Sequence, residues 1–234
     1  MDMSTEEERI EYAISHTEVV RPPKQTLSTF GATNIYYYLL TEPSYKELVE
    51  GEGETVVREG RVRAEKPKVV TPYYLVNVEG FSEHARRYLD MVAKEYGPHA
   101  RGLFYGYNNE PKELNIVASN MDSVVRKLAD KIDTEGDQLA TIIKGVDELW
   151  DVSLLKFIFD MTRYSLDSNV FELGRNGLLD VDSRGIPRDA RQSIEQLFAR
   201  VEKGELDPSA LKVELDRWGL FGDYEDRFLR LFKK

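Results

Sequence analysis

Up to about Asn120 the apolar residues of this chain recur mostly at every second position; beyond it they recur at intervals of three and four. A period of two belongs to strands half-buried in a sheet, and a period near 3.6 to amphipathic helices. A chain that changes period once, near its middle, is predicted to be an α+β protein. Its front half should hold a mixed or mainly antiparallel sheet of about five strands with a crossing helix. An all-helical C-terminal half should follow.

Residues 34–40 (NIYYYLL) are apolar or aromatic at both parities, which predicts a strand covered on both faces. Residues 54–78 are rich in valine and alternate. They read as two or three antiparallel strands, with Glu59-Gly60 and Lys66-Pro67 as turns and Pro72 at an edge or bulge. Ser82 reads as the cap of a helix with the stripe Ala85, Tyr88, Leu89, Val92 and Tyr96, stopped by Gly97-Pro98. Two more strands are expected at about 102–107 and 113–118, joined by the turn-rich Asn108-Asn109-Glu110-Pro111. Ahead of the sheet, Ser4 with Glu7 three residues on is a capping-box pattern that opens a helix over 4–16. Arg21-Pro22-Pro23-Lys24 then reads as a stiff linker.

In the back half, Ser119-Asn120-Met121-Asp122 is a second capping-box pattern, followed by the stripe Met121, Val124, Val125, Leu128 and Ile132. Leu139, Ile142, Ile143, Val146 and Leu149 form another helical stripe. Residues 152–166 are apolar nearly all round, which predicts the most buried helix. A glycine-containing loop is expected over 167–186, then three short helices, the second opened by Asp207-Pro208. The expected organisation is an N-terminal helix and linker (1–24), an aromatic-rich α+β domain (25–120), a helical region (121–180) and a three-helix unit (181–234).

The chain has no cysteine, which excludes disulfides, thiolate nucleophiles and cysteine-held metal clusters. His16, His84 and His99 lie too far apart for ligand spacing, so no metal and no cofactor is predicted. An acidic N-terminus and an apolar run broken by Lys156 and Asp160 predict a cytoplasmic protein with no membrane span. The net charge is −10. It divides unevenly, with −7 over 1–60, +2 over 61–120, −5 over 121–180 and zero beyond.

Several groups of residues carry candidate chemistry. The Glu79-Gly80-Phe81-Ser82-Glu83-His84 turn joins a strand to a helix N-terminus, where Gly80 and Ser82 can bind a ligand and Glu79 and His84 can move a proton. The hydroxyl-rich run before the central strand offers Ser28, Thr29, Thr33 and Asn34 as further ligand-binding groups. Lys156, Asp160 and Arg163 share a helix face, so Lys156 and Asp160 are a catalytic candidate pair or a structural ion network. Tyr73, Tyr105 and Tyr107 with Arg61 and Arg63 form a nucleic-acid candidate of stacking rings beside phosphate-binding cations. Asp180-Val181-Asp182 looks like the start of a cation loop. Its fifth and twelfth positions are Arg184 and Arg191, which cannot be calcium ligands.

No motif names a reaction. The expected function is therefore a non-catalytic interaction or regulatory module with a protein partner or self-association. An enzyme acting on a small polar or phosphorylated ligand, bound between the sheet-edge loops and the helical half, is the alternative. A single-strand nucleic-acid binder comes third, because an acidic chain repels phosphate.

Overall fold

The computed structural model describes residues 5–45, 53–76, 87, 91, 94–97 and 100–232. Helix α1 (Glu6–Ser15) is capped by Thr5, whose hydroxyl accepts from Glu8 N while the Glu8 carboxylate accepts from Thr5 N. The capping box is thus one residue later than Ser4 and Glu7 suggested.

Five strands form the main sheet in the order β1 (Glu18–Arg21), β7 (Ala140–Gly145), β2 (Thr33–Thr41), β3 (Thr55–Ala64), β6 (Tyr107–Val117). Strand β2 is parallel to β7, and all the other pairings are antiparallel. The sheet is mixed, and the α+β class follows. The tyrosine-rich β2 lies at its centre, covered on both faces as its pattern demands. Ile35, Tyr37 and Leu39 pack against helix α4 (Trp150–Arg175), whereas Tyr38 and Leu40 pack against α3 (Met121–Glu135).

The cross-β details overturn several expectations. Glu59-Gly60 is not a turn: β3 runs straight through it, and the register shifts there against β6. Pro111 pairs with Gly60 and Glu113 with Glu59, which leaves Lys112 as the extra residue of a bulge. Asn108-Asn109-Glu110-Pro111 is likewise strand, and proline is tolerated because β6 is the sheet edge among the described residues. The stripe at Leu139, Ile142, Ile143 and Val146 is not helical. It contains β7, which packs Ile142 against α3 and Ile143 against α4, so the period does change back after Asn120. Strand β1 occupies part of the segment that led into the expected linker. Asn120, not Ser119, caps α3, its side chain accepting from Ser123 N at 2.9 Å. Helix α4 continues to Arg175, well into the expected loop.

The contacts divide the chain into two compact units, residues 1–66 with 105–169, and residues 67–104 with 170–234. Unit 1 holds the main sheet. In unit 2, strands β4 (Lys68–Val70) and β5 (Gly102–Phe104) pair antiparallel, and Pro72 opens a short helix α2 (Pro72–Val76) instead of interrupting a strand. Three helices follow, α5 (Arg188–Glu202), α6 (Pro208–Arg217) and α7 (Phe221–Arg230). They are the three short helices expected at the end of the chain, and Asp207 caps α6 by accepting from Ser209 N at 2.8 Å. Ile194, Phe198, Leu211 and Leu215 are fully buried around Trp218, with Val70 and Tyr74 completing this core. The expected crossing helix over 82–96 lies largely outside the described residues. Among those described, no helix is long and apolar enough to cross a membrane.

Candidate functional site

A helix that is apolar all round needs cover all round, and α4 does not receive it. Leu154, Phe157, Ile158 and Met161 enter the core beneath the sheet. Leu155, Phe159 and Tyr164 point away and are 64%, 60% and 73% exposed. The expectation of the most buried helix holds for one side only.

Beside this helix the chain leaves β1 through Pro22-Pro23. Together they bound a groove of about 360 Å³, lined by Val19, Pro22 and Pro23 from the strand and its extension, and by Phe157, Met161 and Tyr164 from α4. Among the described residues Asp160 is the one charged residue lining it. Its carboxylate accepts from Lys156 Nζ at 2.7 Å across one helical turn, with both side chains partly in solvent. Such a pair contributes only a few tenths of a kcal/mol and opens readily to a competing cation. Arg163 does not join it; its guanidinium lies 5.8 Å from the Phe159 ring centre.

Charge sharpens this picture. Unit 1 holds 25 acids against 15 bases, and unit 2 holds 17 of each. The whole net charge of −10 therefore resides on the unit that carries the groove.

The hydroxyl-rich run is built into the fold. Thr33 Oγ1 accepts from Ser28 N at 2.8 Å, and Ser28 Oγ accepts from Gly31 N. Thr29 is buried and accepts from Asn169 Nδ2 at 2.8 Å. Asn169 also donates to Leu27 O and accepts from the Tyr105 hydroxyl, while Ser165 Oγ accepts from Leu27 N. This polar seam under α4 escaped the sequence reading, because Ser165 and Asn169 sit in a stretch whose apolar residues dominate the pattern. Asn34 differs: its Oδ1 is the single buried side-chain oxygen without a partner among the described residues.

The nucleic-acid candidates do not assemble into a platform. The Tyr105 and Tyr107 rings lie 6.4 Å apart and pack against the core, their hydroxyls bonded to Asn169 and Thr162. Burial and the neighbouring Tyr107 push the Tyr105 hydroxyl up to about 12. Arg61 is held by Glu110 and Arg63 by Glu65. Tyr73 is half-exposed but belongs to unit 2. Glu79, Gly80, Ser82 and His84 lie outside the described residues.

Two further polar clusters are internally satisfied. Where β2 and β7 end, Asp147 accepts from Thr41 Oγ1 at 2.7 Å, Arg58 Nη2 at 2.8 Å and Ser44 N at 3.3 Å. Burial opposes the charge of Asp147, but the bonds from Thr41 and Arg58 outweigh it and hold the carboxyl below its usual range. In unit 2 the buried Glu214 accepts from the Tyr74 hydroxyl at 3.2 Å and lies 3.7 Å from Lys68 Nζ. Asp182 is no cation ligand here: it accepts from Arg184 N, Ile186 N and Arg191 and so fixes its own loop. No group of three or more His, Asp or Glu side chains suited to a metal ion occurs among the described residues.

No protein-family model, no curated protein and no solved structure matches the chain.

Proposed function

We propose that this protein is a non-catalytic, cytoplasmic interaction module whose groove between β1 and α4 captures an apolar segment of a partner protein that carries basic side chains. The observation that carries this reading is the groove itself. It is an apolar cleft within the usual size range of a ligand site, bordered by the exposed face of α4. Its one lining charge is a carboxylate in a loose pair. The net charge of −10 on unit 1 draws basic partners and disfavours acidic ones. Among the described residues strand β1 is also a sheet edge, which suits an extended segment laid along it beside the side-chain groove.

Selection of a random peptide-display library against the folded protein tests this directly. The enriched sequences should combine neighbouring large apolar residues with Lys or Arg, and should weaken severalfold towards Tyr164→Ala and Asp160→Asn. Enrichment of acidic sequences, or binding indifferent to both substitutions, contradicts the proposal.

A further inference from the structure

A second cavity lies on the opposite, α3-covered face of the sheet, and its chemistry is unlike that of the groove. It encloses about 220 Å³ and is lined by Tyr36, Tyr38, Glu59, Lys112, Glu135 and Asp137, among others. A backbone irregularity helps to build it. The bulge in β6 leaves Lys112 out of register and sets its ammonium 4.9 Å from the centre of the Tyr36 ring; bulges of this kind commonly re-aim a side chain beside a functional site. Glu135 ends α3, whose C-terminal carbonyls add negative potential.

The charges around this cavity are largely without partners of their own. Among the described residues Glu59 and Glu135 make no hydrogen bond or ion pair, and act on Lys131 only through their charge. Among the described residues Lys112 makes no hydrogen bond or ion pair and lies over the Tyr36 ring, and Asp137 uses one oxygen to accept from Leu139 N. Lys131 donates to the Tyr38 hydroxyl at 3.2 Å, with its ammonium 5.3 Å from that ring centre. Three carboxylates and the Lys112 ammonium thus face one small cavity without pairing with one another, and two aromatic rings already hold ammonium groups.

We propose that this cavity binds a small zwitterion, a free α-amino acid or a molecule of that size bearing one ammonium and one carboxylate. The ligand ammonium is taken by Glu59, Glu135 and Asp137 beside the tyrosine rings, and its carboxylate by Lys112. A diamine would meet Lys112 as a like charge, and a dicarboxylate would meet the three acids.

Isothermal titration with a panel of free amino acids tests this, with putrescine and succinate as single-sign controls. At least one amino acid should bind below about 10 mM, and Lys112→Gln and Glu59→Gln should each weaken it about tenfold or more, the usual effect of losing a charge-assisted contact. Tyr164→Ala, in the groove on the other face, should leave this binding unchanged, which separates failure here from failure of the peptide site. The variants' melting curves without ligand report whether they fold, and amide shifts at Tyr36 and Tyr38 on titrating the unmodified protein give a readout that needs no variant. Putrescine or succinate binding as tightly as any amino acid overturns the proposal, as does the absence of amino-acid binding and of those shifts.

Discussion

Phe157 and Phe159 stand two residues apart on one helix and have opposite fates: one is 2% exposed in the core, the other 60% exposed. Phe157→Ala should cost about 3–5 kcal/mol, the usual price of emptying a buried aromatic site, while Phe159→Ala should change stability by less than about 0.5 kcal/mol. Urea melts of the two variants check this. Gly60→Ala should cost about 1–3 kcal/mol by overpacking against Tyr37, although φ at Gly60 is not positive. The pH dependence is set by single residues too. The carboxyl of Asp147 titrates below its ordinary value near 4, so its contribution is complete above that value and is lost as pH falls through the lower folded-state pKa. Thermal melts of Asp147→Asn should therefore show a flatter decline in Tm below about pH 4 than the parent protein. Tyr105 acts at the other end. Its folded pKa is raised to about 12, so its contribution is intact below the ordinary tyrosine value near 10 and is lost as pH rises towards about 12. Absorbance titration at alkaline pH should show a late-ionising tyrosine that Tyr105→Phe removes.

Among the elements, β7 is the most instructive. It lies between β1 and β2, with four of its six residues buried. Ile142→Ala should therefore cost about 2–5 kcal/mol, and amide exchange across β2 and β7 should be among the slowest in unit 1. The sequence concealed this strand for a physical reason. A strand buried on both faces shows no alternation, so Leu139, Ile142, Ile143 and Val146 mimic helical spacing. Strand β2 has the same character but was legible, because three tyrosines before two leucines make a run typical of strands. In β6, Asn108, Asn109 and Pro111 signal a turn by composition. Their edge position and the bulge at Lys112 depend on which strand lies alongside, which no local pattern records. The tail helices α5, α6 and α7 were legible because each buries one stripe in a local core and ends near a glycine or cap. The groove was not legible, since it needs the prolines after β1 and a helix that follows more than a hundred residues later.

For the molecule as a whole, the sequence showed uneven acidity but not its spatial consequence. Because both units draw on distant segments, only the fold reveals that unit 1 carries the full −10 and unit 2 is neutral. A charge of that size on one unit should make capture of a basic partner fast and salt-sensitive, with the association rate falling steeply as ionic strength rises. Stopped-flow mixing with a selected basic peptide at low and high salt checks it. Docking in the groove beside β1 is read out by hydrogen–deuterium exchange with and without that peptide. Residues 18–24 and 155–164 should gain protection when the peptide is bound. Protection confined to β6 or to unit 2, with those segments unchanged, would contradict docking there.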